Sequence, residues 1–454
     1  MRSITLIAAA LAGTCWTVPA VGQSPGSTSV EAELAAMRAQ MAEMAARMEA
    51  LERELAATKA EAAAASEQAA AVAGPSEASE PAVEIAWKGA PEISTASGWS
   101  FKPRGRIQVD AGLVSAPESA SYQDGFGSEL RRARLGVEGD IPGGFGYKLE
   151  VDFAGDAVAL TDAVLTYETG GFLLTAGQHN NFQSLDELTS SVHTPFLERA
   201  AFTDAFGFER RVGLSAEYAA KAWMIQAGIF SDNSADLPDD HAWSADGRFV
   251  FFPKLGNGQL HFGGSIHYTG LDEGSIVRYR QRPFVHFNST RFLNTGPMTA
   301  GSETGYGLEA AGIFGRFHFA GEAFWQKADL RGVAEDPTFF GAYAEAGFFL
   351  TSGDRRGYKG GKFDRVKPAN PLNKGGMGAV QVNLRYDHLD LVDAGIIGGL
   401  QDTYAISLVW TPTDYTRFLI NYARNQIDQS NFPVGGGDTS YGVDTLGVRA
   451  QVDF

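Results

Sequence analysis

The chain has 454 residues, a formal net charge of −17, 54 glycines and a single cysteine. Beyond residue 20, no window approaches the roughly 18 consecutive apolar residues that a transmembrane helix needs, so any membrane crossing must use strands. The acidic balance would on average repel anionic partners, but the charges are segregated along the chain.

Residues 1 to about 23 have the order that is typical of a secretory signal peptide. Arg2 precedes an apolar run from Ile4 to Ala12, and small residues follow as far as Gly22. Cys15 lies inside this segment. The mature chain is therefore expected to have no thiol, no disulfide and no cysteine metal ligand.

A helical segment is predicted from about residue 29 to residue 73. Its apolar positions step three and four residues apart, which indicates a self-associating coiled coil; they are Leu34, Met37, Met41, Met44, Met48, Leu51 and Leu55. A lone amphipathic helix is the alternative, but this stripe is too narrow to cover a globular core. Three prolines between residues 74 and 98 then predict a linker.

From Trp99 to Phe454 the hydrophobic period changes to two. Phe101, Ile107 and Leu113, for example, alternate with basic or polar residues, and the last nine residues, Leu446 to Phe454, alternate in the same way. Period two with a polar face that must meet water is typical of a transmembrane β-barrel, in which one face meets lipid and the other the lumen. The terminal segment has the pattern of a closing barrel strand.

Seventeen segments qualify as strands, whereas bacterial single-chain barrels have an even number. The expected alternation of long external loops and short periplasmic turns is consistent only if Ser275 to Asn288 belongs to an external loop. The prediction is thus an all-β fold, a 16-stranded antiparallel barrel with both ends of the chain in the periplasm. Thr351 to Met377 then falls on the periplasmic side, where so long a turn is unexpected.

Basic residues concentrate in that turn, in the reassigned loop and on the predicted lumen faces of the first strands. The candidate anion-selecting residues are Arg355, Arg356, Lys359, Lys362, Arg365 and Lys367 in the turn; Arg278, Arg280 and Arg282 in the loop; and Arg104, Arg106, Arg132 and Arg134 on the strands. Lys102 and Arg449 are additional candidates on predicted lumen faces. Arginine captures oxyanions through two hydrogen bonds, and rings of Arg or Lys select anions in pores. The alternative is that each run is only a solvated charged loop.

Several motifs also resemble a known family. They are Trp87–Pro91, Lys102–Arg106, Arg131–Gly139, Leu188–Ser191, Gly353–Pro368 and Arg449–Phe454. From about Trp87 to its end, the chain resembles the phosphate-selective porin O and P family. The resemblance implies a trimeric sixteen-stranded outer-membrane porin, in which inward-folded loops and one inward-folded turn narrow an anion-conducting lumen.

The resemblance carries over residue by residue. The Gly353–Pro368 turn matches well, which implies that its six basic side chains face inward. The loop after the fifth strand matches through Ser184–Ser191 but continues with Val192 and His193, where phosphate-specific members carry a lysine, and five acids lie between His179 and Arg210. This departure favours a general anion preference over tight phosphate selectivity.

An enzymatic function is the least favoured alternative. His261, Ser265 and His267 share one predicted lumen face, but no Gly-x-Ser-x-Gly motif or third metal ligand accompanies them. We therefore expect no catalytic residue, metal or cofactor. A basic lumen would attract nucleic acid, but the predicted compartment argues against that partner.

The predicted function is passive diffusion of small anions, including phosphate or other oxyanions, through a homotrimer in outer-membrane lipid. Two alternatives stay open: a weakly selective porin for other solutes such as sugars or carboxylates, and a structural barrel that tethers the envelope. The coiled coil is expected in the periplasm, where it would either lock the trimer or reach toward peptidoglycan.

Overall fold

The computed structural model describes residues 83–118, 124–155, 157–236 and 242–454, together with eight residues between 42 and 60. The chain divides into two units, Met1–Glu80 and Pro81–Phe454. In the first unit the eight described residues are helical and exposed, and Arg53 pairs with Glu49 at 2.6 Å. The predicted signal peptide and most of the predicted coiled coil lie outside the described residues, so both stay predictions.

The second unit is built almost entirely of strands. In chain order they are β1 Val83–Trp87, β2 Pro91–Thr95, β3 Ser100–Ser115, β4 Gly125–Ile141, β5 Phe145–Asp152, β6 Ala159–Thr169, β7 Phe172–Asn180, β8 Arg210–Ala219, β9 Trp223–Phe230, β10 Trp243–Phe251, β11 Lys254–Leu255, β12 Gly258–Gly270, β13 Ile276–Val277, β14 Arg280–Gln281, β15 Leu293–Asn294, β16 Met298–Phe314, β17 Phe317–Leu330, β18 Thr338–Phe349, β19 Gly357–Lys359, β20 Lys362–Asp364, β21 Ala379–Asp393, β22 Ile396–Thr413, β23 Thr416–Asp428 and β24 Tyr441–Asp453. Short helices span Leu185–Leu188 and Ala201–Ala205, and 3₁₀ turns span Leu372–Lys374 and Gly435–Gly437. No described helix has the length and apolar character needed to cross a membrane.

Sixteen of the described strands form a closed antiparallel barrel, as predicted. They are β3 to β10, β12, β16 to β18 and β21 to β24, each paired with the next. The last strand closes on the first, with Asp444–Asp453 paired to Arg106–Ser115. Closure of the described strands removes the two free edges that an open sheet would present to its surroundings.

The two faces of the barrel strands have opposite character. On β3, Ile107, Val109 and Leu113 point outward and are nearly half exposed, whereas Gln108 and Asp110 point inward and are buried. Successive side chains of a strand point to opposite faces, so a period of two sends the apolar residues outward and the polar residues into the lumen. This confirms the predicted alternation.

The connections also confirm the predicted strand assignment. Ser275 to Asn288 lies in the connection between β12 and β16 and contributes only the two-residue strands β13 and β14. Thr351 to Met377 lies in the connection between β18 and β21. This second connection is at the end of the barrel where β3 begins and β24 ends, which we call the terminal end; the other end is the loop end.

The segment predicted as a linker, residues 74–98, differs from that prediction where it is described. Val83–Trp87 and Pro91–Thr95 pair as a hairpin, and Ile93 and Ser94 pair with the first residues of β3. Pro91 is compatible with this hairpin because it begins its strand, a position that tolerates proline. Pro91 therefore marks a strand boundary here rather than an irregular linker.

One half of the barrel interior is a packed apolar core rather than open lumen. Residues 181–209, which connect β7 to β8 and which we call the inner loop, pack against the walls formed by β16 to β23. Phe202 of the inner loop stacks on Phe324 of β17 at 5.7 Å between ring centroids. Phe202 also fits against Gly341, where an added Cβ would lie 2.5 Å from it. The open space is confined to the opposite half.

Candidate functional site

A cavity of about 1460 Å³ occupies the open half of the barrel. The inward faces of β3 to β8 form one side, and the inner loop and the turn between β18 and β21 form the other. Its lining includes fifteen Lys and Arg residues against eleven Asp and Glu residues. A chain with a net charge of −17 thus surrounds this cavity with an excess of positive charge.

The inner loop is fixed in place by carboxylates of the barrel wall. Glu322 on β17 accepts hydrogen bonds from the backbone amides of Leu185 and Asp186, both at 2.7 Å, where a short helix begins. Asp387 on β21 accepts from the amide of Ala201 at 3.1 Å, where the second short helix begins. Helix N-termini expose unpaired amides and favour negative charge, so these two contacts determine where the loop lies.

The turn between β18 and β21 enters the lumen as a hairpin formed by β19 and β20, which we call the inner hairpin. Gly360 and Gly361 make its tip with φ values of 57° and 67°, a left-handed conformation that glycine adopts without strain. The carbonyl of Gly361 accepts a hydrogen bond from Arg248 on β10 at 3.0 Å. The hydroxyl of Tyr358 is hydrogen-bonded to His261 on β12 at 2.6 Å. The unexpected length of this turn is therefore explained by its inward fold.

Four of the six basic candidates in this turn line the cavity: Lys359, Lys362, Arg365 and Lys367. The other two do not, which corrects the sequence prediction. Arg355 is exposed outside the cavity, and Arg356 is buried against Glu345 of β18 at 2.8 Å. The two neighbouring side chains thus differ in burial, and neither of them lines the cavity.

The opposite side of the cavity carries Arg104, Arg106, Arg132 and Arg134 on β3 and β4, which we call the arginine wall. Three of them are partly neutralised: Arg134 pairs with Asp152 at 2.7 Å, Arg106 lies 3.5 Å from Glu150, and Arg104 pairs with Glu138. Arg132 instead donates to the neutral side chain of Gln108 at 2.9 Å. The four predicted residues are therefore together, but most of them have a local counterion.

A β-bulge adds another arginine to this wall. Between β3 and β4 the register shifts, so that Gln108 faces Arg132 while Val109 faces Leu130, and Arg131 is the extra residue. A bulge lets two successive side chains share one face, and Arg131 and Arg132 both line the cavity. Arg131 pairs with Glu198 of the inner loop at 3.1 Å. Alternation alone assigns Arg131 to the outer face, so the sequence prediction missed it.

The basic segment of the β12–β16 connection contributes less than predicted. Arg282 lines the cavity and pairs with Asp204 at 3.1 Å. Arg280 is exposed outside the cavity, because in the short strand β14 the neighbouring Gln281 takes the inward position. Arg278 donates to Asn294 at 2.8 Å and is also absent from the lining. Arg278 and Arg280 are thus wrong as cavity residues.

Arg449 and Lys102 complete the predicted set. Lys102 lines the cavity, as expected for its position on β3. Arg449 faces inward but makes two hydrogen bonds to Asp110, at 2.7 and 2.6 Å, and is buried outside the cavity lining. A guanidinium held by both oxygens of a carboxylate closes the seam between β24 and β3 rather than meeting solutes.

Further cations line the cavity that the sequence prediction did not select. They are Lys88, Lys148, Arg199 and Arg210. Lys148 and Arg210 both pair with Asp162, at 2.5 and 2.8 Å. The period-two pattern had already placed Lys148 on the polar face of its strand, which was the signal available. For Arg199 no such signal existed, because the inner loop has no regular period.

The inner loop and the inner hairpin approach each other at one side of the cavity, which we call the narrow side. His193 Nε2 of the loop lies 3.6 Å from Asp364 Oδ1 of the hairpin. Burial, with Arg365 and Arg417 nearby, lowers the pKa of His193 to about 2. Burial also lowers the pKa of Lys362, and Arg248 acts in the same direction. At neutral pH, His193 is therefore uncharged, and positive charge at this narrow side comes from lysine and arginine.

The residues of the enzymatic alternative have structural contacts instead of a catalytic arrangement. His267 is hydrogen-bonded to Asp246 and to Thr269, and His261 to Tyr358. Ser265 makes no hydrogen bond with either histidine. Within the described ranges no group of three His, Cys, Asp or Glu side chains could hold a metal ion.

Comparison with known proteins gives concordant results. Residues 101–454 match the sequence profile of a family described as phosphate-selective porin O and P. A protein of Caulobacter vibrioides named only as an uncharacterized protein is 47% identical over 395 residues, which cover 84% of this chain and 79% of that protein.

Solved structures share the fold at low sequence identity. The outer membrane channel DcaP of Acinetobacter baumannii has a TM-score of 0.50 and 15% identity, covering 80% of this chain and 99% of that one. An anion-selective porin from Comamonas acidovorans has a TM-score of 0.50 and 12% identity, covering 78% and 100%. OmpT of Vibrio cholerae in its trimer form has a TM-score of 0.50 and 11% identity, covering 79% and 100%.

Proposed function

Because the chain belongs to the phosphate-selective porin O and P family, we propose that it is a homotrimeric outer-membrane porin that passes small anions by passive diffusion. Phosphate and other oxyanions are the expected solutes. The observation that carries this proposal is the excess of cations on the cavity lining, fifteen against eleven acids.

The turn between β18 and β21, which contains the inner hairpin, supplies cations that are available to a solute. Lys359, Lys362 and Lys367 line the cavity and form no ion pair with another described side chain. The arginine wall faces the same space, but most of its charge is balanced by carboxylates on neighbouring strands. Unpaired lysines offset the desolvation of an entering anion, and weak, multiple contacts let it leave again.

A general anion preference fits this lining better than tight phosphate selectivity. Glu187 and Glu198 of the inner loop face the same cavity as the lysines, and acids there weaken the binding of a multivalent anion. Where phosphate-specific members carry a lysine, this chain has Val192 and His193, and the pKa of His193 is lowered to about 2. That histidine adds no positive charge at neutral pH.

The proposed membrane orientation and assembly are supported by the even strand number and by a structural neighbour. With sixteen strands, the terminal end is proposed to face the periplasm, since both ends of the barrel sequence lie there. The trimer form of the Vibrio cholerae OmpT structure supports a homotrimer. The heptad segment between residues 29 and 73 is proposed as a periplasmic coiled coil that locks the trimer or reaches toward peptidoglycan.

Recordings in planar bilayers test the proposal. Under a salt gradient, the reversal potential is expected to show preference for chloride over potassium, and a cation preference would refute the anion function. Added phosphate that reduces the chloride current would indicate a phosphate site, whereas simple additivity would support a general anion channel. Equal permeability to both ions would favour the alternative of a weakly selective porin for neutral solutes.

A further inference from the structure

Four buried charged side chains connect the inner hairpin to the inner loop through the barrel wall. Arg356, at the base of the hairpin, donates to Glu345 Oε1 on β18 at 2.8 Å, and Arg385 on β21 donates to Glu345 Oε2 at 2.6 Å. Arg385 also donates to Asp186 Oδ2 of the inner loop at 3.2 Å. All four side chains are at most 4% exposed, and none of them lines the cavity.

Each end of this chain of ion pairs is anchored in a segment that shapes the cavity. The guanidinium of Arg356 lies over the ring of Phe363 on β20, 3.4 Å from its centroid, so it holds the second strand of the hairpin as well as the first. At the other end, Asp186 Oδ2 accepts from the backbone amide of Ala200 at 2.9 Å, which ties two parts of the inner loop together.

Glu345 is the member on which both ends depend. Each of its carboxylate oxygens binds a different arginine, so it neutralises the cation of the hairpin anchor and the cation of the loop anchor at once. Without its charge, Arg356 would have no acidic ion-pair partner among the described side chains, and of its described ion pairs Arg385 would keep the one with Asp186. Buried cations without a counterion are strongly unfavourable, so both anchors would shift toward water.

We infer that Glu345 is a positioning residue for permeation, which sets the separation between the lysines of the inner hairpin and the inner loop. The two segments contact each other through the packing of Phe363 against the inner loop and through the approach of His193 to Asp364 at 3.6 Å, and His193 and Asp364 both line the cavity. The width and charge density of the narrow side therefore depend on a carboxylate that no solute contacts. This inference rests on the proposed function, because it takes the cavity as the conducting path.

The test compares single-channel recordings of the full chain with Glu345→Gln and with Glu335→Gln. Glutamine keeps the shape of the side chain but has one acceptor oxygen and no charge, so it cannot hold both arginines. Glu345→Gln is expected to reduce the anion-to-cation permeability ratio about 2-fold or more and to make the open-channel current fluctuate between levels. Glu335, an exposed residue of the β17–β18 connection, is the matched control and should behave as wild type.

A second variant keeps the test decisive if Glu345→Gln does not fold, which gel mobility before and after heating would reveal. Asp186→Asn removes the ion pair with Arg385 at the inner-loop end of the series of ion pairs, while the backbone amide of residue 186 can still donate to Glu322. This variant should also make the current unsteady. A steady current and an unchanged permeability ratio in whichever variant folds would overturn the inference. A wild-type channel that prefers cations would refute the proposed function instead, and the steadiness of the current would still test the role of Glu345.

Discussion

Lys362→Gln is the most direct test of the inner hairpin as the source of selectivity. The residue lies next to the hairpin tip, lines the cavity, is exposed to it and has no acidic partner among the described side chains. Two unit charges 4 Å apart interact with about 1 kcal/mol in water, a factor of about 5 in an equilibrium, and with about 4 kcal/mol at an effective dielectric constant of about 20. Because the cavity is open to water, we expect the lower value.

The variant should therefore reduce the anion-to-cation permeability ratio about 5-fold in dilute salt. The reduction should shrink in concentrated salt, since the screening length falls from about 10 Å at about 0.1 M to about 3 Å at about 1 M. Reversal potentials in planar bilayers at both concentrations measure this. Lys254→Gln is the matched control, an exposed lysine on β11 that lies outside the cavity lining.

The pH dependence of selectivity provides a second test of the role of Lys362. The Lys362 side chain is exposed to the cavity, but the surrounding protein desolvates its ammonium group and lowers its pKa, with Arg248 acting in the same direction, so Lys362 loses its proton at a lower pH than ordinary lysines. Since the protonated form attracts anions, the preference for anions should decline as pH rises toward the ordinary lysine range. Lys362→Gln should lack this early decline. An unchanged permeability ratio at low salt in Lys362→Gln would show that the hairpin does not control selectivity.

Three further changes have defined outcomes. Glu150→Gln removes the carboxylate that lies near Arg106 and Arg134, so it should raise the anion preference, and an unchanged reversal potential would mean that the arginine wall is not on the conducting path. Gly361→Ala should alter single-channel conductance, because φ is +67° there and the added Cβ would lie 2.4 Å from Met224 Sδ. The resulting backbone strain is of order 1–3 kcal/mol. A conductance equal to that of the wild type would show that the hairpin tip is not at the narrow side. Deleting Val30 to Ala73 should leave single-channel conductance unchanged, whereas loss of envelope integrity in cells with intact conductance would support the tethering role.

Much of the fold could be predicted from the sequence because barrel strands carry their own signal. Each residue of β3 faces either outward or into the lumen, so the alternation of Ile107, Val109 and Leu113 with Gln108 and Asp110 is directly readable. The requirement for an even strand number then identified Ser275 to Asn288 as a loop and Thr351 to Met377 as an unusual turn. Both assignments agree with the structure.

The candidate site was predicted less completely, because its members depend on contacts between distant segments. Arg131 faces the cavity because of the bulge opposite Val109, and the residue pattern around Arg131 does not predict a bulge. Arg356 does not line the cavity because its guanidinium is hydrogen-bonded to Glu345 and lies over the ring of Phe363, two contacts that depend on the fold. Arg280 points away because Gln281 takes the inward position in a two-residue strand.

The sequence by itself determined the barrel, its strand number and the presence of a basic, unexpectedly long turn, because period and parity can be read without knowledge of packing; the inward fold of that turn was implied by the family resemblance. Only the tertiary structure decided which half of the interior is filled and which cations are free to meet a solute. The inner loop occupies one half because Glu322 and Asp387 bind its helix ends. Charge balance is likewise a property of pairs: Arg134 is neutralised by Asp152 from the next strand, whereas Lys362 forms no ion pair with an acid of the described part of the chain and feels Glu217 and Asp162 only at longer range.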